Sequence, residues 1–513
     1  MGTPRRNFKR VNAGMKLREL LAGIENVASE KYLDADISGV AYDSRKATAG
    51  SLFVAIHGEK TDGNLYVRDA IQNGARVILS EQIAPVDLPD NVAWVEVREA
   101  RKALSMASAN FCGRPANALK LVGVTGTNGK TTTVFLVDSI LRAAGFASGM
   151  FGTIRYRTPK GIQVAEHTTP ESLDLQRFLA EVRDAGGTHA ALEVSSHALA
   201  LDRVWGCPFS VAVFTNLTRD HLDFHKTMDA YFGAKRRLYS GTGAGAPAVG
   251  VVNSDDPHGK QLAGMAQRTL TYGLQNGADI TTKKFVPAFS GLEFTAQTPA
   301  GKVEIRSPLV GRINVYNILA AVGAGLGLGL SLEVIQKGIA ALECVPGRFA
   351  RIDEGQPFLV VVDYAHTDDA LRNLIQTARD LLKTGRIITL FGCGGERDRT
   401  KRPLMGEAAG SLSDLVVISS DNPRGEDPLR IINDAVVGLQ KVNAKYLVEP
   451  DRGRAIEIAL EEAREGDIVL LAGKGHETSQ IIGERTIEFD DHVVASEALR
   501  RRGYTRERGN VKV

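Results

Sequence analysis

A glycine-rich run with one lysine is the part of the sequence whose chemistry is easiest to state. It follows the apolar stretch 120–124 and precedes a predicted helix over 130–144. In such a strand–loop–helix unit, backbone N–H groups and the helix dipole point at an anion. We expect the lysine to face nucleotide phosphates and a threonine hydroxyl to face Mg²⁺. The predicted phosphate loop consists of Gly126, Thr127, Asn128, Gly129, Lys130, Thr131 and Thr132.

Acidic and polar side chains follow two more apolar stretches, residues 190–194 and 211–215. Glu193 lies near the end of the first stretch, and the polar run 216–223 follows the second. A single acid at the end of a strand is more often a solvated residue than a ligand. Two such features beside a phosphate loop, however, suit phosphoryl transfer, which needs Mg²⁺ to neutralise developing charge. We therefore expect Glu193 to lie beside a magnesium ion.

The sequence gives little support for a transition-metal site. His221 and His225 could form a pair of ligands, but no third nitrogen or sulfur ligand lies nearby in the sequence. The cysteines contain no CxxC pair, which argues against zinc or a disulfide framework and fits a reducing cytoplasm. The four cysteines are Cys112, Cys207, Cys344 and Cys393.

A second candidate site lies in the last third of the chain. The tetrapeptide Asp421-Asn422-Pro423-Arg424 follows an apolar stretch, where a Rossmann-like sheet binds its ligands. Arg424 offers a rigid fork for a carboxylate, and Asn422 offers both a donor and an acceptor. Taken alone, the four residues are more typical of an Asx-Pro turn that carries an exposed arginine.

The elements that must position these residues predict an α/β protein of three domains. A chain of 513 residues exceeds what one core supports, since domains average about 150 residues. We predict a small α/β domain over 1–114, a central P-loop ATPase-like parallel sheet over 115–348, and a Rossmann-like domain over 349–513. An antiparallel segment is expected at 279–307. The last domain is predicted from four apolar strands separated by amphipathic helices, at 358–362, 386–391, 415–419 and 467–471.

Composition excludes several classes of protein. The formal net charge of +3 does not indicate a surface that binds nucleic acid, so we expect no nucleic-acid partner. The most apolar run, 318–330, is shorter than the about 20 residues that span a bilayer, and we expect a packed core helix there instead. The first eighteen residues are basic without an apolar segment, which predicts a disordered extension rather than a secretory signal. Either Met1 or Met15 could be the start.

The run GTNGKTTT after an apolar strand resembles the ATP loop of the Mur ligases, bacterial enzymes that build the peptidoglycan stem peptide. The resemblance extends from about residue 43 to 491 and is closest to the members that add diaminopimelate. It implies a monomeric cytoplasmic ligase that uses ATP and Mg²⁺. The implied substrates are UDP-N-acetylmuramoyl-L-alanyl-D-glutamate and meso-diaminopimelate.

The resemblance also assigns residues to the nucleotide and the metal. It implies that Thr131, Glu193 and His221 serve magnesium. Lys235 matches a family lysine that is carbamylated and acts as a carboxylate-like metal ligand, although the sequence alone predicts a solvated helix lysine there. The remaining nucleotide contacts, between the last two domains, are implied at Asn314, Arg348 and Asp363.

Further residues match the family's site for the UDP-linked substrate. Asp43-Ser44-Arg45, which alone could be a turn, is followed by 50–55 as in the uridine-binding domain. The run 168–171 resembles the loop that holds the sugar–dipeptide, and it also fits a helix N-cap followed by proline. Departures from the family pattern at Glu59, Lys60, Leu201 and Asp202 leave their individual contacts open. The implied contact residues are Ser44, Arg45, Thr168, Thr169, Ser195 and Arg203.

The tetrapeptide 421–424 matches the family's diaminopimelate site, and the lysine-adding members lack its arginine. Diaminopimelate carries a second amino-acid head, and burying its carboxylate unpaired would be expensive. Glu477 suits an ammonium group, although 473–477 alone could begin a glycine-rich helix. The implied contact residues are Arg397, Asp421, Asn422, Pro423, Arg424, Gly473 and Glu477.

The family's chemistry transfers the γ-phosphate of ATP to the D-glutamate side-chain carboxylate, and the amine then attacks the acyl phosphate. Three alternatives are a lysine-adding ligase, a folylpolyglutamate synthetase-like enzyme, and a nucleotide-regulated binding protein without turnover. Arg424 disfavours the first, and the amino-terminal domain disfavours the second. The retained Lys130, Glu193 and His221 disfavour the third.

Overall fold

The structure, a computed structural model, describes residues 14–58, 61–275 and 277–505. Residues 1–13 of the expected amino-terminal extension, and the positions Glu59 and Lys60, lie outside the described residues. For residues 15–18 the expected extension was wrong, because they form a short strand and the start of a helix. The chain forms three α/β domains in sequence order, each around its own sheet, as predicted. In the part of the chain that the structure describes, no helix has both the length and the apolar character needed to cross a bilayer.

The amino-terminal domain has a five-stranded sheet in the order β2-β7-β6-β5-β4, with β2 antiparallel to its neighbour and the other pairs parallel. Ala100, Ala103, Leu104 and Ala107 recur at helical spacing in α3 and are all buried in the domain core. The elements are β1 (Met15–Lys16), α1 (Leu17–Leu20), β2 (Asn26–Ala28), β3 (Asp36–Ile37), β4 (Val40–Ala41), β5 (Leu52–Val54), α2 (Val67–Gln72), β6 (Val77–Ser80), β7 (Ala93–Val97) and α3 (Ala100–Phe111).

The central domain begins with the predicted strand, loop and helix and continues through its largest sheet. The elements are β8 (Lys120–Thr125), α4 (Lys130–Ala143), β9 (Ser148–Phe151), β10 (Arg155–Thr158), β11 (Gly161–Val164), α5 (Ser172–Asp184), β12 (His189–Glu193), α6 (Ser196–Ala200), β13 (Phe209–Phe214), α7 (Leu222–His225), α8 (Met228–Ser240), β14 (Val249–Asn253), α9 (Pro257–Leu262), β15 (Arg268–Tyr272), β16 (Phe285–Ala288), β17 (Gly291–Thr298), β18 (Gly301–Ser307), α10 (Arg312–Gly327) and α11 (Leu332–Ala340).

The large central sheet has the order β11-β10-β9-β12-β8-β13-β14-β15, and the strands from β9 to β15 in that order run parallel. Helices cover both faces, which explains why the parallel strands are almost continuously apolar. The predicted antiparallel segment is a separate three-stranded sheet, β16-β17-β18. Gly338 of α11 approaches α4 so closely that a Cβ there would lie 2.4 Å from the Cα of Ile140.

The carboxy-terminal domain has a six-stranded sheet in the order β19-β20-β24-β21-β22-β23, parallel except for the edge strand β19. The four predicted strands are β20, β21, β22 and β24, each displaced by one or two residues. The elements are β19 (Ala350–Ile352), β20 (Leu359–Asp363), α12 (Asp368–Leu381), β21 (Ile387–Cys393), α13 (Lys401–Leu412), β22 (Leu415–Ser420), α14 (Pro428–Lys441), β23 (Tyr446–Val448), α15 (Arg452–Glu462), β24 (Ile468–Ala472), β25 (Ser479–Ile482), β26 (Arg485–Glu488) and α16 (Asp491–Arg501).

A buried ion pair braces the carboxyl ends of this last sheet. Arg452 and Asp491 are both fully buried, and the guanidinium donates to both carboxylate oxygens at 2.8 and 2.6 Å. The same guanidinium donates to the carbonyls of Ser420, at the end of β22, and Ala472, at the end of β24. Since the loops after these two strands carry the predicted amino-acid site, Arg452 holds the bases of both loops at fixed separation.

Candidate active site

The phosphate loop between β8 and α4 requires its glycines. Gly126 has φ +146°, and a Cβ there would lie 1.9 Å from Oγ1 of Thr215. Gly129 has φ +86°, and a Cβ there would lie 2.4 Å from Oδ1 of Asn317. Side chains from β13 and α10 therefore press against the loop backbone, and α4 starts directly behind it with its N–H groups facing the loop.

Two lysines converge on the carbonyl groups of this loop. Lys130 donates to the carbonyls of Gly126 at 3.0 Å and Thr127 at 2.8 Å. The buried Lys235 of α8 donates to the same Gly126 carbonyl at 2.7 Å, so it is not the solvated lysine that its sequence context predicts. Burial and the neighbouring Lys130 hold the pKa of Lys235 well below its usual range. The Lys235 amine is therefore poorly able to hold a proton.

The carboxylate of Glu193, at the end of β12, lies directly beside the loop and is buried. It accepts hydrogen bonds from the hydroxyl of Thr131 at 3.0 Å and from the hydroxyl of Thr153 at 3.1 Å. The backbone N–H of Thr153 donates to its other oxygen at 2.8 Å. Thr153 carries no sequence signal, and sequence reasoning missed it.

His221 lies in the turn before α7 with φ +55°, where its neighbour Asp220 accepts from the backbone N–H of His221 at 2.9 Å. Burial lowers the pKa of His221, although Asp220 opposes the shift, so the imidazole is neutral at pH 7. A neutral imidazole can act as a lone-pair donor toward a cation.

A third imidazole, which nearness in the sequence did not indicate, lies close to His221 and His225. His197 of α6 has its ring 4.8 Å from that of His221 and 5.5 Å from that of His225, because the turns after β12 and β13 meet at one sheet edge. Even so, among the described residues no group of three or more His, Cys, Asp or Glu side chains is arranged to hold a metal ion.

The predicted substrate loop is tied to Glu193 through its backbone. The Thr169 hydroxyl donates to the Glu193 carbonyl at 2.8 Å and accepts from the backbone N–H of Ser195 at 3.1 Å. Arg203 donates to the Thr169 carbonyl at 3.1 Å, and the Thr168 hydroxyl accepts from Thr153 at 3.2 Å. The structure therefore brings Thr168, Thr169, Ser195 and Arg203 together.

The N-cap expected around Pro170 is placed differently. Helix α5 begins at Ser172, and its cap is Glu171, whose carboxylate accepts from the Ser172 N–H and from Arg203. Proline therefore precedes the cap instead of following it. The helix starts two residues later than a cap at Thr169 would require, which leaves the threonine side chain free to bond Glu193 and Ser195.

Ser44 and Arg45 lie apart from this loop. Asp43 accepts from the backbone and side chain of Arg45, which forms the turn that the sequence alone allowed, and Arg45 is largely exposed. Among the described residues, the hydrogen bonds and ion pairs of Ser44 and Arg45 lie within the amino-terminal domain. The nearest bridge is the Tyr42 hydroxyl, which donates to Asp174 of α5 at 2.6 Å.

A cavity of about 90 Å³ separates the phosphate loop from the carboxy-terminal domain. Arg348 at the hinge donates to the Thr131 hydroxyl at 3.2 Å, and Asp363 accepts from the Phe349 N–H at 2.7 Å. The cavity adjoins a larger one of about 770 Å³, which gives a bound molecule room to extend toward the hinge. The predicted nucleotide residues that line the smaller cavity are Asn128, Gly129, Thr131, Thr132, Asn314, Arg348 and Asp363.

The second predicted site forms where the loops after β22 and β24 meet. Asn422 is buried and donates to a carboxylate oxygen of Glu477 at 2.9 Å. Gly473, with φ +115°, lets the loop after β24 lie close to the loop after β22. A Cβ at this position would lie 2.9 Å from a carboxylate oxygen of Asp421. Residues 473–477 form a turn between strands and not the start of a helix, since β25 follows at once.

Arg424 is half-buried, so the turn with an exposed arginine does not occur. Its backbone has φ +50°, and its backbone N–H donates to the carbonyl of Ile481 in β25 at 3.0 Å. Its guanidinium donates to the Gly395 carbonyl at 2.7 Å, and Arg397 lies next to it across Gly394. The Arg424 guanidinium and the Cγ of Arg397, a residue that is itself exposed, thus both lie close to Gly394.

Comparisons with known proteins agree with this geometry. The description "Mur ligase family, catalytic domain" matches residues 36–112, "Mur ligase middle domain" matches 124–325, and "Mur ligase, glutamate ligase domain" matches 347–475. A protein of Solibacter usitatus named UDP-N-acetylmuramoyl-L-alanyl-D-glutamate--2,6-diaminopimelate ligase is 52% identical over 493 residues, covering 96% of this chain and 99% of the relative. The chain belongs to the Mur ligase family.

Two further comparisons extend the match. A Geobacillus kaustophilus protein with the same name is 43% identical and covers 95% of this chain and 100% of the relative. A solved structure of a ligase with that name is 33% identical, with a TM-score of 0.67, and covers 96% of this chain and 100% of its own. As a member of this family, the chain is an ATP-dependent ligase.

Replacing Gly129 by alanine tests the tight loop geometry in this Mur ligase. The new Cβ collides with Asn317 at 2.4 Å, so the loop must shift away from its phosphate-binding conformation. We expect affinity for ATP and ADP to fall by at least about tenfold, measured by calorimetric titration.

Gly145→Ala is the matched control. Gly145 follows α4 with a similar φ of +81°, but nothing lies within 4 Å of its Cβ position. It carries the same backbone penalty of about 1 kcal/mol without touching the loop. Equal nucleotide affinity in the two variants would contradict the loop geometry.

Proposed function

We propose that this Mur ligase joins meso-diaminopimelate to the D-glutamate side-chain carboxylate of UDP-N-acetylmuramoyl-L-alanyl-D-glutamate, with cleavage of ATP to ADP and phosphate. The observation that carries the proposal is the cluster of Arg424, Asn422 and Glu477 at the carboxyl ends of the last sheet. The relatives that match nearly the full chain carry the name of this activity.

The chemistry of the cluster suits a free amino-acid head group. Arg424 and Arg397 supply positive charge for a carboxylate, and Asp421 and Glu477 supply negative charge for an ammonium group. Burial raises the pKa of Asp421, while Arg452 and Lys474 oppose the shift and favour its ionised form. Diaminopimelate has such a head beyond its reacting amine. L-lysine has no distal carboxylate and would leave the charge of Arg424 without an anionic partner.

The loop that contains Thr168 and Thr169 is proposed to hold the dipeptide end of the UDP-linked substrate. Its hydroxyl groups, with Ser195 and Arg203, form a polar edge whose backbone is bonded to Glu193. A dipeptide held by this loop would have its acceptor carboxylate next to the phosphate loop, as phosphoryl transfer requires. Ser44 and Arg45 of the amino-terminal domain are proposed to bind the uridine end of the same long molecule.

The residues beside the phosphate loop fit Mg²⁺. Glu193 and Thr131 present hard oxygen donors 3.0 Å apart, and Mg²⁺ commonly takes few protein ligands and completes its shell with phosphate and water oxygens. We propose Thr131, Glu193, His221 and a carbamylated Lys235 as its ligands. Carbamylation needs an unprotonated amine, which the depressed pKa of Lys235 provides. When bound, the ion neutralises charge on the transferred phosphate.

The groups of this chain account for the other requirements of the reaction. A carboxylate oxygen of D-glutamate attacks the γ-phosphorus, and ADP leaves with the bond electrons. Lys130 and Arg348 stabilise the charge that develops on the phosphate oxygens. The amine of diaminopimelate then attacks the acyl carbon, and phosphate leaves. Contact between the carboxy-terminal domain and the loop, where Asn128 donates to Asp369 at 2.7 Å, helps to exclude water from the acyl phosphate.

Three further proposals concern the molecule as a whole. Domain boundaries at 114 and 348 are proposed because each lies between two separate sheets. A cytoplasmic location is supported by four cysteines that form no disulfide, three of them buried. We also propose that the chain acts as a monomer, since all the proposed binding groups come from one chain.

The reaction predicts that ADP release requires both the UDP-linked dipeptide and meso-diaminopimelate. We expect background release when either is omitted, because the acyl phosphate needs its carboxylate and turnover needs the amine. In a parallel assay, L-lysine should give a kcat/KM at least about 1000-fold lower. Equal or better turnover with L-lysine would contradict the diaminopimelate assignment. No release with any amino acid would favour a nucleotide-regulated binding protein.

Arg424→Ala tests the amino-acid site separately from the nucleotide site. Loss of the guanidinium leaves a substrate carboxylate without its partner, so KM for meso-diaminopimelate should rise about 100-fold while KM for ATP is unchanged. Arg430→Ala, on the exposed face of α14, is the matched control and should behave as the unmodified enzyme. A parallel rise in KM for ATP would mean that Arg424 serves the fold and not the amino acid.

A further inference from the structure

A lysine in the second loop of the proposed amino-acid site has so far been assigned only an electrostatic influence on Asp421. Lys474 follows Gly473, and its side chain is fully buried. Burying an ammonium group costs several kcal/mol unless opposite charges and hydrogen bonds compensate it. A lysine in this position therefore needs partners that hold it, and those partners indicate what it does.

All partners of the Lys474 ammonium are residues proposed to bind the amino acid. It donates to a carboxylate oxygen of Glu477 at 3.2 Å and to the amide oxygen of Asn422 at 3.4 Å. It also lies close enough to Asp421 to favour the ionised form of that buried carboxyl group. Lys474 itself cannot touch a ligand, since none of its side chain is exposed.

The contacts of Lys474 define the orientation of the Asn422 side chain. The amide oxygen of Asn422 accepts from Lys474 and from the backbone N–H of Ile481 at 3.0 Å. Its amide nitrogen donates to Glu477 at 2.9 Å. The reversed orientation would set the NH₂ group against two donors and the amide oxygen against a carboxylate, so it is excluded.

Lys474 also offsets repulsion in a crowded acidic group. Asp421 and Glu477 repel one another, which by itself raises the pKa of Asp421. The other nearby cation, Arg452, is engaged at 2.6 Å by Asp491. Without Lys474, the two carboxylates would face each other with less compensation, and Glu477 would lose one of the two donors that hold its shared oxygen.

We propose that Lys474 is a positioning residue for the second substrate: its buried ammonium fixes Asn422 and Glu477 in the orientation that recognises the distal head of diaminopimelate. The inference rests on the proposed function. With one Glu477 oxygen held by Lys474 and Asn422, the other oxygen faces the ligand ammonium. The second N–H of Asn422 remains for a carboxylate. Lys474 acts through these two side chains and makes no contact with substrate.

Steady-state kinetics of Lys474→Met and Lys474→Gln test this role. Methionine keeps the volume and removes the charge and the hydrogen bonds, whereas glutamine keeps a donor. KM for meso-diaminopimelate should rise about 10- to 100-fold in the methionine variant and less in the glutamine variant. KM for ATP and for the UDP-linked dipeptide should stay unchanged. Lys445→Met, an exposed lysine of the same domain, is the matched control and should change nothing.

A double-mutant cycle with Glu477→Gln separates positioning from folding. If Lys474 acts through Glu477, adding Lys474→Met to Glu477→Gln should raise KM for meso-diaminopimelate far less than it does in the unmodified enzyme. Additive effects would overturn the proposal, as would an unchanged KM. Loss of ADP affinity in both Lys474 variants would assign the residue to folding alone and overturn it as well. Absence of turnover in the unmodified enzyme would instead refute the proposed function.

Discussion

The buried carboxylate of Glu193 joins the two halves of the central site. Its side chain accepts hydrogen bonds from Thr131 in the phosphate loop and from Thr153, and its carbonyl accepts from Thr169 in the substrate loop. These bonds depend on Glu193 lying at the carboxyl end of β12, beside β8, whose end carries the phosphate loop. The separation between the phosphate loop and the loop that contains Thr169 is therefore set by the register of two neighbouring strands.

Contacts at the hinge connect the carboxy-terminal domain to the phosphate loop. Arg348, just before β19, reaches back to Thr131, and Asn128 of the loop contacts Asp369 at the start of α12. The amino-acid site belongs to the same carboxy-terminal domain, with its loops braced by Arg452. At the proposed site, positioning of the amine would thus depend on contacts between two domains, which suits a reaction whose acyl phosphate must meet an amine before it meets water.

Local features of the sequence predicted much of this. The strand, loop and helix around Lys130 and the alternating strands of the last domain follow from apolar periodicity and glycine placement, and both occur. The family model matches and the full-length relatives show the predicted fold and family. The residue assignments within the site remain proposals, although the structure brings most of them together.

What the sequence could not predict depends on contacts between distant segments. Thr153 has no motif and becomes visible only when β9 lies beside β12. His197 joins His221 because two turns meet at one sheet edge. The sequence does not show that Lys235 and Lys474 are buried, because their burial depends on segments that are distant in the chain. The N-cap of α5 is Glu171 and not Thr169, because the Thr169 hydroxyl is bonded to Glu193 and Ser195.

Isotope transfer tests the central claim, that the loop phosphorylates the D-glutamate carboxylate, most directly. The UDP-linked dipeptide would carry ¹⁸O in that carboxylate, and the phosphate released during turnover with ATP and meso-diaminopimelate would be analysed by mass spectrometry. Passage through an acyl phosphate leaves one carboxylate oxygen on the phosphate, so the account predicts one ¹⁸O in each phosphate released. Phosphate without the label would show that water, and not the carboxylate, receives the γ-phosphoryl group, and would contradict it.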